Sequence, residues 1–429
     1  MKKLLTTSLV AVLVLISGAV YATNTRVMTM GETGNIQMDE SNVFMYPSRI
    51  NMYPDLAMGE MGYSNSEYDD GSGMSKWGIH WKFGEKNPWI LGTYLARDEF
   101  RGTNYDGRVG IGYLMLPFRY PTWVDLYDYG WFDWPSTPTS NEGNQRVSLI
   151  YGRKLGNNPF GFRFSKFHSS WKDEGNAGYS KAEEGLAEYD FAFGLTEATG
   201  KWDVAAGINM LTWTNKNFNG EYSTKPSGNK ALFLHGRYFK QVNPRWTIVP
   251  NAGVIMGSYE AEFYTGATPN VLTETESFKT TTFWAGMGAH YTPVANVLAV
   301  CEGGFGYNSS KWEYKPVVGT SATDKINFLT FPYLKIGFEG QVFDWLDLRG
   351  GATSYWQKAK EEFEPNPNGI KYSANYPDNA TYLGTGMHFG NLHIDTYTNP
   401  EILLNGFDFI SGNSTSSLNA RVSVLYTFK

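Results

Sequence analysis

The amino-acid sequence predicts an all-β chain folded as a transmembrane antiparallel up-and-down β-barrel of about 14 to 18 strands. Three observations carry that expectation. Segment after segment alternates apolar and polar residues with a period of two, the repeat of a strand with one oily and one wet side. From Leu155 onward, tight and long connections alternate, as they do between the two rims of a membrane barrel. Aromatic residues and glycine are abundant (28 Tyr, 27 Phe, 14 Trp and 47 Gly in 429 residues) while charged residues make up 18%, which suits aromatic girdles on a glycine-rich sheet.

The chain opens with Met1-Lys2-Lys3 and an apolar run from Leu4 to Val20, closed by the small-residue exit Val20-Tyr21-Ala22. Residues 1–22 therefore read as a secretory signal peptide cut after Ala22. The alternative is a single anchor, but beyond Thr6-Thr7-Ser8 the apolar core is short of the about 20 residues that span a bilayer as helix. No later stretch reaches that length, and mean hydropathy is −0.37. A mature chain of this kind crosses lipid only as closed β-structure, where every backbone group is satisfied.

Residues 23–54 lack alternation. Gly31, Gly34, the polar run Asp39-Glu40-Ser41-Asn42 and Pro47 point to turns and a short helix. From residue 55 to the C-terminus at 429 the barrel pattern takes over. Trp77, Ile79, Trp81 and Phe83 alternate with Gly78, His80 and Lys82; Tyr189, Phe191, Phe193 and Leu195 oppose Glu188, Asp190 and Gly194; Trp202, Val204, Ala206, Ile208 and Met210 oppose Asp203, Gly207 and Asn209. Leu334, Ile336, Phe338 and Val342 oppose Lys335, Gly337, Glu339 and Gln341, and Leu346 and Leu348 oppose Asp347 and Arg349. Charges on the inner face and apolar residues outside predict a polar lumen.

Tight turns are expected at 84–88, 155–158, 199–200, 242–244, 293–295 and 343–344, with Trp89, Phe160, Trp202, Trp246 and Trp345 just after them as an interfacial girdle. Long polar connections are expected at 100–106, 172–185, 217–228, 264–275, 316–323 and 364–379. The apolar stretch Pro400 to Gly412 reads as one or two helical turns, folded into the barrel mouth or capping it. In the last strand, Ala420, Val422, Val424, Tyr426 and Phe428 share one face against Asn419, Arg421, Ser423 and Thr427.

A single cysteine, Cys301, excludes an internal disulfide, and a net charge of −6 gives no reason to expect a nucleic-acid partner.

The run Asp39-Glu40-Ser41-Asn42-Val43-Phe44-Met45-Tyr46-Pro47-Ser48-Arg49-Ile50, with Leu56 and Glu60-Met61-Gly62 behind it, resembles the N-terminal segment of the FadL-like superfamily of outer-membrane barrels. There an acidic residue and an Asn-Pro-Ala element precede the first strand; here Tyr46-Pro47-Ser48 stands in place of that element. The resemblance implies a barrel, typically of about fourteen strands, with residues 23–54 as an N-terminal plug segment. It also implies passage of long-chain fatty acids or other hydrophobic compounds, or, in related branches, a role in protein secretion. It carries over no binding residue.

Candidate lumen-lining charges are Lys335, Glu339, Asp347, Arg349, Glu302, Asp203 and Arg237. They either tune which solutes cross or pair across strands to hold the barrel rigid, at about 0.2 to 1 kcal/mol a pair; the pairing role is the default. Trp123, Tyr127, Trp131 and Trp134, with Tyr129 and Phe132, form the densest aromatic cluster, read as girdle anchors at the rim or as a stacking platform for an apolar or sugar ligand. Among the histidines, His388 and His393 are positioned to oppose each other on a hairpin, a conceivable metal pair, with ordinary strand residues as the plainer reading. The acidic run Glu67-Tyr68-Asp69-Asp70 reads as a solvated loop rather than a calcium site. No nucleophile and base are spaced for catalysis, so the expectation is no enzyme, no catalytic residue, no cofactor and no metal.

The functional expectation is an outer-membrane channel or transporter for hydrophobic or small polar solutes in a Gram-negative bacterium. Its partners would be outer-membrane lipid, the assembly machinery through the C-terminal strand, and a hydrophobic solute. The alternative is a non-transporting barrel that anchors or docks other proteins.

Overall fold

The computed structural model describes residues 23–64, 73–97, 145–173, 182–217, 220–224, 229–265, 271–364, 371–398 and 419–428. The chain forms one closed antiparallel barrel of sixteen strands. In order these are β1 (Leu56–Ser64), β2 (Gly73–Phe83), β3 (Trp89–Arg97), β4 (Gln145–Leu155), β5 (Asn158–Asp173), β6 (Ala182–Thr196) and β7 (Trp202–Asn217). An interrupted β8 follows, made of Gly220–Thr224, Lys230–Tyr238 and Lys240–Asn243. Then come β9 (Trp246–Thr265), β10 (Leu272–Tyr291), β11 (Val297–Pro316), β12 (Ala322–Phe343), β13 (Leu346–Glu364), β14 (Lys371–Phe389), β15 (Leu392–Thr398) and β16 (Asn419–Thr427). The three pieces of β8 are one strand because all face β9 in descending register, Thr224↔Ala261, Lys230↔Ser258 and Lys240↔Ile248. Closure comes from β1 against β16, Leu56↔Thr427 through Ser64↔Asn419, so no strand edge is left to lipid. The even count lies inside the range the sequence allowed.

The barrel is inside out relative to a soluble protein. Its exposed residues are apolar, among them Trp77, Trp81, Leu95, Val204, Leu234, Leu334, Ile336, Phe338, Val422 and Tyr426, while its buried strand residues include Lys76, Arg146, Arg163, Glu188, Asp203, Arg237, Glu302, Lys335 and Arg349. The sole cysteine, Cys301, faces outward. At the rim of tight turns, rings follow one another from strand to strand: Phe83 stacks on Trp89 at 4.2 Å, Trp89 meets Tyr151 at 5.9 Å, Tyr151 meets Phe160 at 6.1 Å, and Phe160 meets Phe193 at 6.4 Å. Phe343, Trp345 and Phe389 continue the belt on the far side. An apolar exterior with an aromatic girdle on a closed sheet defines an outer-membrane β-barrel.

Several strands run further than their alternation suggested. Residues 371–379, read as loop, belong to β14, and β5, β6, β9 and β10 likewise extend into expected connections. Beyond the lipid belt the outer face has no reason to be apolar, so the ladder continues after the pattern that betrays it has faded. Asp324 through Ile326 against Glu361 through Phe363 show this: a continuous register carried mostly by polar residues on both faces.

The N-terminal segment lies inside. It holds a short helix α1 (Asn24–Thr29) and two 3-10 turns, Glu40–Val43 and Pro47–Met52. Thr23 caps α1 by accepting from the Arg26 N–H, and Asp39 opens the first 3-10 turn as a reciprocal capping box with Asn42. Nearly every residue from Thr23 to Ile50 is buried, with Met38 an exposed exception. Val43, Phe44, Ile50 and Tyr53 pack with Ile90, Tyr94, Ile150 and Leu425 of the inner wall, and Met30 and Ile36 pack with Phe239, Val249 and Val300.

Candidate functional site: the plugged lumen

The predicted inner-face charges are buried except for the part-buried Glu339, and the structure brings most of them onto the N-terminal segment rather than onto an open passage. Asp203 sits at the start of β7, a step from the tight turn. Its carboxylate accepts from Arg49 Nε and Nη2, both at 2.7 Å, from Arg237 Nε at 2.8 Å and from the Thr196 hydroxyl at 2.7 Å. Arg49 belongs to the plug and Arg237 to the wall. Arg237 also donates to the carbonyls of Gly34 (3.2 Å), Asn35 (3.1 Å) and Gln37 (2.6 Å) and to Asn42 Oδ1 (2.5 Å), and its guanidinium lies 4.4 Å from the Tyr46 ring centroid. One carboxylate between two guanidinium groups, fully hydrogen-bonded, is the geometry in which buried charge is tolerated.

A second cluster holds the opposite side. Arg26 grips Glu339 through two contacts of 2.7 Å. Arg349 contacts the same carboxylate, Asp395, and Asp347 at 3.6 Å. Asp395 accepts the Thr23 hydroxyl at 3.0 Å, and His388 Nε2 meets Asp347 at 2.6 Å. Lys335 donates to the Glu32 carbonyl at 2.8 Å. Glu302 differs: it is buried on the wall, where Asn251 (3.0 Å) and Tyr333 (3.1 Å) donate to one oxygen while the other has no hydrogen-bond partner among the described residues.

Backbone fit between plug and wall is equally close. A Cβ at Gly161 would stand 2.2 Å from the Pro47 carbonyl carbon, and one at Gly351 2.2 Å from the Gly31 nitrogen. Only hydrogen at those positions lets the plug's main chain lie directly on the sheet. Next to Gly31, Glu32 adopts φ 57°, a left-handed conformation that costs a non-glycine residue of order 1 kcal/mol or more. It aims the carboxylate at two tyrosine hydroxyls, Tyr355 donating at 3.0 Å and Tyr382 at 2.6 Å.

Asp39 is held differently. Its Oδ1 accepts from the Ser41 hydroxyl and the Asn42 N–H, while Oδ2 has no hydrogen-bond partner among the described residues. Burial lifts its carboxyl to about 6, against the pull of those hydrogen bonds and of Arg26 and Arg237 nearby.

Sequence reasoning missed the plug's share of the site. Arg26, Glu32 and Arg49 lie in a segment with no periodicity to assign them a face, and Asp395 sits in a seven-residue strand. In the other interior pairs, Arg146 with Glu188 and Arg163 with Asp190, the sequence placed only the two acids on a wet face and left their arginine partners unassigned. At mid-height, Phe233, Ile255, Trp284, Tyr333 and Tyr355 form an apolar interior cluster. His235 links it to the plug, its ring 4.7 Å from Tyr46 and 6.5 Å from Trp284. His388 and His393 do face each other across the hairpin, Nδ1 to Nδ1 at 2.6 Å. No group of three or more His, Cys, Asp or Glu placed to hold a metal occurs among the described residues. The aromatic cluster Trp123, Tyr127, Trp131 and Trp134, the acidic run at Glu67 and the stretch 400–412 lie outside the described residues.

No family model and no curated protein matches the sequence. Among solved structures, the chain is similar to the Pseudomonas putida toluene transporter TodX, at 11% identity and TM-score 0.38 over 96% of this chain and 99% of that one. It is also similar to the CymD monoaromatic hydrocarbon channel, at 8% identity and TM-score 0.36 over 96% and 98%, and to OmpT of Vibrio cholerae, at 10% and 0.33 over 87% and 98%. Identity and TM-score at this level carry neither a residue's role nor a substrate across.

Proposed function

We propose that the chain is a gated outer-membrane transporter for small hydrophobic solutes, not an open diffusion pore and not an enzyme. The observation that carries this reading is the filled lumen: the segment from Thr23 to Tyr53 is buried inside the barrel and anchored on two sides by Asp203 and Glu339. Anything that crosses must therefore meet a plug that shifts. The apolar cluster of Phe233, Trp284, Tyr333 and Tyr355 beside that plug favours a solute with an oily surface, which an aromatic lining holds by area and ring contacts. Residues 1–22 serve as the cleaved leader and 23–54 as the plug domain. Strand β16 is the segment read by the assembly machinery.

Two measurements test the reading. Purified protein in planar bilayers should show rare, brief openings, and cells carrying the barrel should take up a small aromatic hydrocarbon faster than cells lacking it. Steady, large conductance steps would mean a diffusion pore. Silence in both assays would favour the second reading, a docking barrel, which the same filled lumen supports.

A further inference from the structure

With the His388 imidazole neutral, the cluster around Arg349 holds one more carboxylate than guanidinium group. Two guanidinium groups, Arg26 and Arg349, contact three carboxylates, Glu339, Asp347 and Asp395. Asp347 is also served by His388, and Glu339 by both arginines. Asp395, 1% exposed, gives one oxygen to Arg349, while its Oδ2 accepts from the Thr23 hydroxyl at 3.0 Å. Thr23 is itself fully buried, at the entry to α1. Its backbone nitrogen is three bonds from that hydroxyl oxygen, on the same residue.

Peptide-bonded to Ala22, that nitrogen is neutral and offers a single hydrogen. After cleavage at this bond it is an ammonium with three. We propose that leader removal supplies the missing cation: the new α-ammonium of Thr23 pairs with Asp395 and fixes the beginning of the plug inside the lumen. The inference rests on the reading of residues 1–22 as a cleaved leader. An ammonium at the start of a helix is opposed by the helix dipole, but α1 has only 6 residues, and a full carboxylate charge in a water-poor site outweighs that partial charge. Processing and plug placement are thereby coupled, since an uncut chain presents no cation to Asp395.

The test uses mature protein purified from outer membranes. Its N-terminal residue is read first, and the native barrel is then treated with an amine-reactive ester near neutral pH. Free α-amines normally react ahead of lysines, because they titrate lower. Here the order should invert, with the Thr23 amine labelled at least about tenfold more slowly than surface lysines until the barrel is unfolded. Asp395→Asn should speed that labelling and lower the temperature of heat modification. Should this variant fail to fold, a glycine inserted before Thr23 moves the amine by about 3.5 Å and should release it equally. A mature chain starting at another residue would overturn the leader reading and the inference with it. A chain starting at Thr23 whose amine labels as fast as lysine would overturn the inference alone. So would protection that neither Asp395→Asn nor the added glycine changes, since burial by itself would then explain it.

Discussion

Asp203→Asn tests the seal directly. The substitution keeps the side chain's shape and removes the charge that both Arg49 and Arg237 share. Breaking a buried ion pair from one side costs about 3 to 5 kcal/mol, because the partner is left buried and unpaired. In this site the cost falls on two arginines at once, and the simplest relief is for Arg49 to leave with its 3-10 turn, freeing that side of the plug. At 1.4 kcal/mol per factor of ten, the equilibrium between seated and displaced plug shifts by roughly two to four orders of magnitude. Single-channel recording should turn rare events into long openings, and protease should reach the Pro47–Met52 turn while the heat-modifiable barrel persists. The double variant Asp203→Asn with Arg49→Met removes one of the two stranded cations; it should regain part of the heat stability without regaining closure. An Asp203→Asn barrel as silent and as protease-resistant as the parent would refute the idea that this clasp seats the plug.

Three further outcomes follow from the geometry. Asp39 carries a folded-state pKa of about 6 against an ordinary 3.8, so the folded state binds the extra proton between those values. The stability it contributes is present below about pH 4, and about 3 kcal/mol is lost as pH rises through 6. Hydrogen-exchange protection over residues 23–53, taken relative to the intrinsic exchange rate at each pH, should therefore be greater at pH 5 than at 7.5, and Asp39→Asn should flatten the difference. Gly161→Val drives a side chain into the Pro47 main chain and should expose the plug to protease with the sheet intact, whereas Gly156→Ala, in an open turn, should cost about 1 kcal/mol through its positive φ alone. Deleting Arg421 to Lys429 removes the partner of β1 and should abolish heat-modifiable, membrane-embedded protein; parental levels would contradict the closure argument.

The barrel was legible because lipid imposes a period-two code on the residues it touches, and Leu334 to Phe338 or Trp202 to Met210 follow it, with the small Ala205 alone departing on the inner face. The same logic sent Lys335, Glu339, Asp347, Arg349, Glu302, Asp203 and Arg237 inward. What they do there was not legible. A charge on an inner face reads alike whether it meets water, a neighbouring strand or a plug, and the plug residues that answer three of these charges, Arg26, Glu32 and Arg49, sit in a segment whose helical turns are too short to show a period. Strand ends above the lipid were lost for a related reason, since no solvent difference there separates one face from the other.

Continuity of the plug with β1 also constrains how the molecule is made. Tyr53 leads directly into the strand that meets β16, and the segment before it touches β4 to β7 on one side and β12 to β16 on the other. The N-terminal segment and the last nine-residue strand therefore converge on β1, one leading into it and the other pairing with its free edge. As in a cask whose lid and final stave share a joint, a fault at that one strand loosens both the filling and the wall.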